Sequence, residues 1–462
     1  MNGPFGLSDL APALSARLIG GSCDVQGVST DTRNIHAGDL FVALRGEHFD
    51  AHDFVKQAVA DGAVAVVVEH EVDVDVPQLV VNNTRMALGN LAAYNRSRFS
   101  GSMFAVTGSS GKTTVKEMLA SINRLRGQTL ATQGNLNNDI GVPLTLLRLS
   151  AGDRYGVIEM GASGAHEIAY STRLTQPDVA ILNNAYGAHL EGFGSLRGVV
   201  LAKAEIFEGL SETGTAVVNL DDPHADIWLG MLQQQPLMTF SIDNTRASVF
   251  ASASYLQANG CYGFKLNYQG QQYPVSLSVM GQHNIANALA AAAAVLADGC
   301  PPEIAVKGLS LCQGVAGRMR PIQLDESTLI IDDSYNANPD AVKAAVNALV
   351  ELTGEKVVVL GDMGELGDGA EQKHRDVGEY IAGKKVELLL SCGVLSAATH
   401  AGFMAAGGKN AQHFSDKAAL LNALQQLPER PRVVLVKGSR SAGMDQIVTG
   451  LTNSGSTDGG SH

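Results

Sequence analysis

Short runs of valine, isoleucine and leucine alternate with helical patterns along almost the whole chain. Such runs are typical of strands buried on both faces of a parallel sheet, and their alternation with helices predicts α/β architecture. A small, polar stretch at 97–102 separates a first block, and a third block begins near Gly317. We therefore predict three domains and a Gly/Ser-rich disordered tail, with the boundaries 1–100, 101–315, 316–452 and 453–462.

The pattern predicts a different set of elements for each domain. The smaller N-terminal α/β domain has strands at 40–44, 64–68 and 79–81 and helices at 53–61 and 85–98. The central α/β domain has strands at 103–106, 155–159, 179–182 and 216–219 and a helix at 196–209. A β-rich stretch at 248–279 and an Ala-rich helix at 285–297 follow. The C-terminal domain alternates helices with strands, which indicates a doubly wound, Rossmann-like sheet, and its strands lie at 329–331, 357–360, 388–391 and 433–436.

Composition and charge narrow the classes of partner. The 462 residues include 33 Lys and Arg against 46 Asp and Glu, a formal net charge of −13. This charge argues against a broad electrostatic surface for nucleic acid or an anionic membrane. Five scattered cysteines, without a Cys-x-x-Cys pair, indicate neither a zinc site nor a disulfide framework. We expect a cytoplasmic location, because the start lacks a signal peptide and the longest apolar stretch cannot span a bilayer. We also expect a monomer.

The segment from Thr107 to Thr114 carries the most specific chemistry. A buried strand leads into Gly-Ser-Ser-Gly-Lys-Thr and then into a helix. In a phosphate loop, glycines let backbone N–H groups wrap around phosphates, a lysine reaches the outer phosphates and a hydroxyl binds Mg²⁺. Lys112 and Thr113 would fill these two roles. The strict pattern has glycine where this chain has Val106, and the alternative is an incidental Gly/Ser turn.

Two further candidates follow neighbouring strands of the central domain. Glu159 ends the strand at 155–159, and His189 comes shortly after the strand at 179–182. Ligands of open α/β sheets bind at the carboxyl ends of the strands, so both residues are placed to bind a metal ion. The alternatives are a solvated strand-end glutamate and a surface histidine. Lys203, in the predicted helix at 196–209, would by residue type alone lie on a solvated face.

Polar residues near the central–C-terminal boundary have both structural and ligand-binding interpretations. Asn287 opens the Ala-rich helix, where an amide can cap the helix or bind a base edge. Arg318 suits a phosphate, but a solvated hinge charge is equally consistent with the sequence. Asp333 and Asn336 lie in a polar turn between a strand and a helix. Their side chains could stabilise the turn and cap the helix, or they could contact the ribose and base of a nucleotide.

Taken in order, these motifs resemble the Mur ligase family over nearly the whole chain. The resemblance rests on the segments Ser29-Thr30-Asp31-Thr32-Arg33, 107–114, 132–143, Glu159-Met160-Gly161-Ala162, Ala188-His189-Leu190-Glu191, 219–223, Gly317-Arg318-Met319, 332–339, 361–367 and Lys437-Gly438-Ser439-Arg440. Phosphate loops of this family have the form T-G-[ST]-[SN]-G-K-T, which accommodates Val106. Among the family's types, the chain looks most like the one that adds D-Ala-D-Ala, because the Asp-Asn-Pro-Arg pattern of the diamino-acid-adding type is absent.

The resemblance implies an activity and its reactants. The expected reaction uses ATP to activate the terminal carboxylate of UDP-N-acetylmuramoyl-tripeptide as an acyl phosphate, which the amine of D-Ala-D-Ala attacks. ATP and two Mg²⁺ ions are the implied cofactors. A hinge near residues 316–320 would let the C-terminal domain close over the reactants. The open alternatives are a diamino-acid-adding Mur ligase and a folylpolyglutamate synthase. A switch GTPase lacks support because no Asn-Lys-x-Asp is present, and a dinucleotide-dependent redox enzyme because the C-terminal domain lacks Gly-x-Gly-x-x-Gly.

The resemblance also implies roles for individual residues. The expected catalytic residues are Lys112, Glu159, His189, Lys203 and Arg318. The expected ATP-binding residues are Thr107, Gly108, Ser109, Ser110, Gly111, Lys112, Thr113, Thr114, Asn287, Arg318, Asp333 and Asn336. The UDP-linked substrate would contact Ser29, Thr30, Asp31, Arg33, Asn135, Asn137 and Asn138. Metal ligands would be Thr113, Glu159, His189 and, as a carbamate formed with CO₂, Lys203.

Overall fold

The computed structural model describes residues 3–46, 49–186, 190–232, 234–364, 366–367 and 369–454. The chain divides into two compact units, which are described separately below. The first comprises Met1–Ala251, Asn267–Tyr273 and Ala286–Gly308. The second comprises Ser252–Leu266, Pro274–Ile285 and Leu309–His462.

The N-terminal part of the first unit is built on a five-stranded sheet with a small two-stranded ribbon. The strands are β1 (Phe5–Gly6), β2 (Arg17–Ile19), β3 (Asp24–Val25), β4 (Gly27–Ser29), β5 (Asp39–Val42), β6 (Ala65–Val68) and β7 (Gln78–Val80). The sheet order is β2-β7-β6-β5-β4, with only the β2–β7 pair antiparallel among the described strands. The helices are α1 (Leu7–Ala13), α2 (Val55–Ala60) and α3 (Thr84–Ser97).

Burial on both faces explains the apolar runs of this sheet. Phe41 and Val66 pack into a cluster with α2, whereas Leu40 and Val67 on the other face join a larger core that includes Leu88 of α3. Side chains alternate between the faces of a strand, so a strand covered on both faces reads as continuously apolar. The three predicted strands are confirmed as β5, β6 and β7. The helix predicted at 53–61 forms only from Val55 to Ala60, after a 3₁₀ turn at Ala51–Phe54.

A parallel sheet forms the centre of the first unit. Its strands are β8 (Ser102–Thr107), β9 (Thr129–Ala131), β10 (Tyr155–Glu159), β11 (Val179–Leu182), β12 (Thr215–Asn219) and β13 (Leu237–Ser241). They lie in the order β13-β12-β11-β8-β10-β9. The connection after β8 runs towards β9 on one side, whereas the connection after β11 runs towards β12 on the other. The carboxyl ends of β8 and β11 therefore flank a topological switch point, where open α/β sheets bind ligands.

Helices connect these strands, and a β-rich stretch follows them. The helices are α4 (Lys112–Arg124), α5 (Gly141–Leu146), α6 (Glu167–Thr175), α7 (Leu190–Phe193), α8 (Leu196–Ala204) and α9 (Ala225–Met231). The helix predicted at 196–209 is α-helical to Ala204 and then continues as a 3₁₀ turn, Glu205–Gly209. The predicted β-rich stretch and Ala-rich helix are confirmed as β14 (Val249–Leu256), β15 (Cys261–Tyr268), β16 (Gln271–Met280), and α10 (His283–Ala297), followed by α11 (Pro302–Leu311).

The second unit contains a six-stranded sheet with the predicted doubly wound character. Its strands are β17 (Arg320–Gln323), β18 (Thr328–Asp333), β19 (Glu355–Gly361), β20 (Leu388–Cys392), β21 (Ala411–Phe414) and β22 (Arg432–Lys437). The order is β17-β18-β22-β19-β20-β21, and only β17 pairs antiparallel among these described strands. The helices are α12 (Pro339–Val350), α13 (Ala370–Ala382), α14 (Ser396–Ala405), α15 (Lys417–Gln425) and α16 (Asp445–Ser454).

Alternate residues of these strands build two separate cores. Val358 packs on the face that carries Val346 of α12, whereas Val357 packs on the face that carries Leu420 of α15. The final helix α16 runs to Ser454, and the remainder of the predicted tail, 455–462, lies outside the described residues. No helix in the described part of the chain is long and apolar enough to cross a bilayer.

Candidate active site

The phosphate loop occupies the carboxyl end of β8 and begins α4 at Lys112. Gly111 has φ 78°, a left-handed conformation that only glycine adopts readily. A Cβ atom there would lie 2.3 Å from Oδ1 of Asn287 and 2.6 Å from Nδ2 of Asn183. Both the backbone angle and the close approach therefore require glycine. An incidental Gly/Ser turn does not account for these constraints, because side chains from other elements contact the loop.

Three asparagines hold the loop from the neighbouring elements. The backbone N–H of Ser110 donates to Oδ1 of Asn184 over 2.9 Å. Nδ2 of Asn183 donates to the Ser110 carbonyl over 3.1 Å and to Oδ1 of Asn287 over 3.0 Å. The structure thus brings Asn287, at the start of α10, to the phosphate loop as expected of a nucleotide contact. Asn183 and Asn184 were not among the predicted site residues, although their position directly after β11 marks them as switch-point residues.

Glu159 lies buried at the end of β10, with only 2% of its surface exposed. Its Oε1 accepts hydrogen bonds from Thr113 Oγ1 over 3.2 Å and from Asn137 Nδ2 over 2.8 Å. Its backbone N–H donates to Oγ1 of Thr132 over 2.9 Å. The alternative of a solvated strand-end glutamate is therefore wrong. The carboxylate lies beside the Thr113 hydroxyl predicted to bind metal, and we call this pair of side chains the Glu159–Thr113 corner.

The second oxygen of this carboxylate tests whether the corner fits a cation. Glu159 Oε2 is buried and has no hydrogen-bond partner among the described residues. A buried carboxylate oxygen without a donor carries a large desolvation cost, which a divalent cation would offset. Oxygen donors are also the ligands that Mg²⁺ prefers. The oxygens of Glu159 and Thr113 therefore fit a Mg²⁺ ion, whereas His189 lies outside the described residues.

Lys203 is buried in α8, so the solvated face that its residue type alone suggested is wrong. Only 3% of its surface is exposed, and its Nζ lies 5.9 Å from the centroid of the Phe193 ring. Burial, and then the charge of Lys112, lower the pKa of Lys203 to about 8. No carboxylate forms an ion pair with Lys203 within the described ranges. Lys203 therefore adds a second ammonium group to the part of the site that already holds Lys112, an arrangement suited to anionic ligands.

Lys112 is held close to its own loop. Its Nζ donates to the Gly108 carbonyl over 2.8 Å. Ser109 is tied to the segment after β11, because its hydroxyl donates to the Tyr186 carbonyl over 2.9 Å. The loop and its lysine are thus preorganised by protein contacts, and a bound phosphate would compete with the Gly108 carbonyl for the lysine ammonium.

The residues predicted to bind the UDP-linked substrate fall into two groups. Ser29, Thr30 and Asp31 line a cavity of about 710 Å³ whose wall also includes Leu136. Asp31 pairs with Arg33 over 2.7 Å, and this guanidinium lowers the pKa of the Asp31 carboxyl to about 2.

The second group lies in the loop before α5. Asn135 is exposed, whereas Asn137 bonds to Glu159 at the cation corner. Oδ1 of Asn138 accepts from the Gly141 N–H over 2.8 Å and so fixes the start of α5. Two of these three asparagines therefore have structural partners of their own.

Three predicted nucleotide contacts belong to the second unit and are described within it. Arg318 is exposed, with its guanidinium 4.7 Å from the centroid of the Tyr335 ring. Asp333 pairs with Lys437 over 2.6 Å and accepts the Met319 N–H over 3.1 Å, which anchors the turn that carries Arg318. Asn336 is exposed, and its carbonyl accepts from Lys437 over 2.8 Å. These residues surround one turn at the carboxyl end of β18.

The fold and the loop define a nucleotide-binding α/β protein of the phosphate-loop class. Comparison with known families assigns each of its parts. Residues 24–96 match the Mur ligase family catalytic domain, 106–295 the Mur ligase middle domain, and 317–440 the Mur ligase glutamate ligase domain. The predicted three-domain α/β class is thereby confirmed, while the residue boundaries between the domains stay predictions.

Whole-chain relatives agree with this assignment. The chain is 46% identical, over 97% of its length and 98% of the relative's, to the UDP-N-acetylmuramoyl-tripeptide–D-alanyl-D-alanine ligase of Escherichia coli K12. A crystal structure of MurF from Acinetobacter baumannii is 37% identical, with a TM-score of 0.90 over 98% of this chain and 99% of that one. MurF of Thermotoga maritima in complex with ADP is 26% identical, with a TM-score of 0.75 over 93% and 98%. The chain belongs to the Mur ligase family.

Proposed function

We propose that the chain is the ATP-dependent ligase that joins D-Ala-D-Ala to UDP-N-acetylmuramoyl-tripeptide. The observation that carries the proposal is the buried Glu159–Thr113 corner at a phosphate loop, in a chain 46% identical over its length to a ligase of that name. The reaction forms a precursor of peptidoglycan and so serves cell-wall growth, cell shape and division. We place it in the cytoplasm, where ATP and UDP-linked precursors are available, and expect it to act as a monomer.

The terminal carboxylate of the tripeptide needs activation, because a free carboxylate is a poor electrophile. In the first step a carboxylate oxygen attacks the γ-phosphorus of ATP, and ADP leaves. In the second step the neutral amine of D-Ala-D-Ala attacks the acyl carbon, and phosphate leaves as the amide forms and the amine loses a proton. Binding and orienting these reactants is the principal task of the protein in such phosphoryl transfers.

The chain's own residues divide this task at the switch point. The backbone N–H groups of 107–114 and the start of α4 bind the phosphates, and the Lys112 ammonium leaves the Gly108 carbonyl to meet them. Thr113 and Glu159 would hold Mg²⁺, with His189 as the further expected ligand. Mg²⁺, when bound, neutralises charge on the phosphate oxygens. Asn183 and Asn184 fix the loop so that its donors are already aligned.

Lys203 is proposed to react with CO₂ and to bind a second Mg²⁺ as a carbamate. Only the neutral amine attacks CO₂, and burial together with Lys112 favours that form by lowering the pKa of Lys203 to about 8. The carbamate would convert a buried ammonium group into a carboxylate-like oxygen ligand. This exchange gives the otherwise costly burial of Lys203 a chemical purpose.

The remaining predicted contacts complete the reactant sites. Arg318 would contact the γ-phosphate, with Asp333 and Asn336 at the ribose and base of ATP together with Asn287. The UDP moiety would bind along Ser29, Thr30 and Asp31, which line a cavity of about 710 Å³, and at Arg33, the partner of Asp31. Of the asparagines before α5, Asn135 is exposed and offers its side chain to the substrate, while Asn137 and Asn138 shape the loop.

Phosphate release by the purified protein tests this function. ATP hydrolysis coupled to product should require both UDP-N-acetylmuramoyl-tripeptide and D-Ala-D-Ala, with one ADP and one phosphate formed per amide bond. Replacing D-Ala-D-Ala with a diamino acid or glutamate should give no product. Lys112→Ala should abolish the reaction without unfolding the protein, and Lys56→Ala, an exposed surface lysine, is the matched control. Product formation without ATP, or full activity of Lys112→Ala, would refute the proposal.

A further inference from the structure

Lys116 is a buried cation one helical turn after the start of α4, and none of the residue roles given above includes it. Its side chain is only 2% exposed, in a helix that packs against β9 and β10. Lys116 follows Thr113 by three residues, so both side chains lie on the same side of the helix. Lysine is almost never fully buried without partners, so its partners indicate what Lys116 does.

The Lys116 ammonium donates hydrogen bonds to a carboxylate and to a backbone carbonyl. The carboxylate is that of Glu117, whose side chain is 29% exposed, and it offsets the buried charge. The carbonyl is that of Thr132, 2.9 Å from Nζ of Lys116, in the first residue after β9. The N–H of Thr132 still belongs to the sheet, because it donates to the Val157 carbonyl over 3.0 Å. Lys116 therefore binds the carbonyl at which the chain leaves the sheet.

These contacts close a ring of interactions around the Glu159–Thr113 corner. The Glu159 carboxylate accepts from the Thr113 hydroxyl on α4, and the Glu159 N–H donates to Oγ1 of Thr132 over 2.9 Å. The carbonyl of Thr132 returns to α4 through Lys116. Thr113 and Lys116 thus bind the end of β10 and the exit of β9 from the same helix, one turn apart.

The loop 132–143 is the part of this ring whose position depends on Lys116. The backbone of Glu159 is already fixed by the pairing of β10 with β8, whereas the loop leaves the sheet. Asn137 of the loop donates to the Glu159 carboxylate over 2.8 Å, and Asn135 of the loop is exposed. An anchor at the base of the loop therefore acts both on the orientation of the Glu159 side chain and on the surface offered to a substrate.

On the basis of the proposed function, we propose that Lys116 is a positioning residue for ligation. It anchors the loop 132–143, which orients Glu159 and contacts the UDP-linked tripeptide. Stability alone does not require a lysine here, because a hydrophobic side chain of similar volume usually stabilises a fold as well as a buried ion pair does. A role in stability and a role in positioning therefore predict different behaviour for an apolar variant of the same size.

Lys116→Met tests this role, because methionine has a similar length and volume but no donor. The variant should melt within a few degrees of the wild type. Its affinity for ADP in EDTA, which reports on the phosphate loop alone, should stay within about twofold. KM for UDP-N-acetylmuramoyl-tripeptide should rise roughly 10-fold and kcat should fall roughly 10- to 100-fold, as expected for the loss of a hydrogen bond from a charged group.

Arg96→Met is the matched control, because Arg96 is also a buried cation that donates to backbone carbonyls. Its partners are Thr175 and Gln176, just before β11 at the opposite edge of the sheet, and Phe99. Arg96→Met should lower the melting temperature and leave KM for the tripeptide unchanged. Lys116→Met/Glu117→Gln, which leaves no unpaired acid at position 117, keeps the test valid if the single variant misfolds.

A double-mutant cycle tests whether Lys116 acts through the loop. Asn137→Ala removes the hydrogen bond from the loop to Glu159. If Lys116 acts through that bond, Lys116→Met/Asn137→Ala should be no more than about threefold slower than the slower of the two single variants, because the effects of coupled residues do not add.

The outcomes separate this inference from the function on which it rests. If the wild type forms no amide from ATP, the tripeptide and D-Ala-D-Ala, the proposed function is wrong. If the wild type ligates but Lys116→Met loses only thermal stability, with KM and kcat unchanged, Lys116 stabilises the fold and does not position the loop. Losses that multiply in the double variant with Asn137→Ala would show that Lys116 does not act through the loop and would overturn the inference.

Discussion

Thr113 donates its hydroxyl hydrogen to Oε1 of Glu159 over 3.2 Å, while Oε2 of the same carboxylate has no partner among the described residues. The pair thus joins the phosphate loop to the end of β10 and leaves one oxygen to a cation. Glu159→Gln keeps the shape of the side chain and the acceptor at Oε1 but removes the charge. Ligation should fall at least roughly 100-fold and become dependent on higher Mg²⁺ concentration.

Steady-state rates across a Mg²⁺ titration, with circular dichroism as a check of folding, measure this effect. Glu208→Gln makes the same substitution in an exposed glutamate paired with Arg173 and should leave the titration unchanged. A Glu159→Gln enzyme with the wild-type Mg²⁺ dependence would show that the corner does not bind the ion.

Local pattern was sufficient to predict the phosphate loop and Glu159. A buried strand, a Gly-rich turn, Gly-Lys-Thr and a helix are consecutive in the sequence, and Glu159 ends a strand that is apolar throughout. Asn183 and Asn184 could not be selected in the same way. Their role depends on β11 lying directly beside β8, and strand order is a property of the whole sheet.

The local sequence pattern also could not predict the burial of Lys203 or the presence of several strands. The apolar pattern of the helix that carries Lys203 does not show whether position 203 is buried or exposed. The burial is seen only in the structure, where Lys203 packs near Phe193. Two of the strands that the sequence analysis did not predict, β9 and β21, each lie at the edge of their sheet, whereas β13, also not predicted, lies inside its sheet. An edge strand needs no continuous apolar run, so the signal that identified the central strands is missing.

Lys203→Ala tests the proposed carbamate chemically. The variant should be inactive, because the ligand for the second Mg²⁺ is lost, and acetate or propionate should restore part of the activity by occupying the space with a carboxylate. The wild type should show a carbamate carbon signal by NMR after equilibration with ¹³CO₂, and Lys203→Ala should lack it. Lys265→Ala, at an exposed lysine of β15, is the control. An active Lys203→Ala enzyme would exclude the carbamate role.

Lys203 should also destabilise the unliganded protein in CO₂-free buffer. Its pKa falls from the ordinary 10.5 to about 8 on folding, so the unfolded state binds more protons between these values. Stability therefore rises with pH from about 8 to 10.5, and the folded state bears the full cost of the buried charge below pH 8. The shift corresponds to a penalty on the order of 3 kcal/mol.

Lys203→Met removes this penalty while retaining the volume of the side chain. The variant should melt at a higher temperature than the wild type at pH 7, and the difference should shrink as pH rises towards 10. Thermal unfolding by fluorimetry in degassed buffer, at pH 7, 8.5 and 9.5, measures the trend. A variant that is less stable at pH 7, or a difference that grows with pH, would contradict the sign argued here.

Gly111→Ala should disable the phosphate loop, because the added methyl group would collide with Asn183 and Asn287. The new methyl would lie 2.3 Å from Oδ1 of Asn287 and 2.6 Å from Nδ2 of Asn183, at a residue with φ 78°. Gly299→Ala separates the two effects, because Gly299 has φ 72° with no atom within 4 Å of the added Cβ. Both variants should lose about 1–2 kcal/mol from the left-handed backbone, but only Gly111→Ala should lose ADP binding. Isothermal titration with Mg²⁺–ADP distinguishes them, and equal affinities in the two variants would show that the asparagine contacts do not shape the loop.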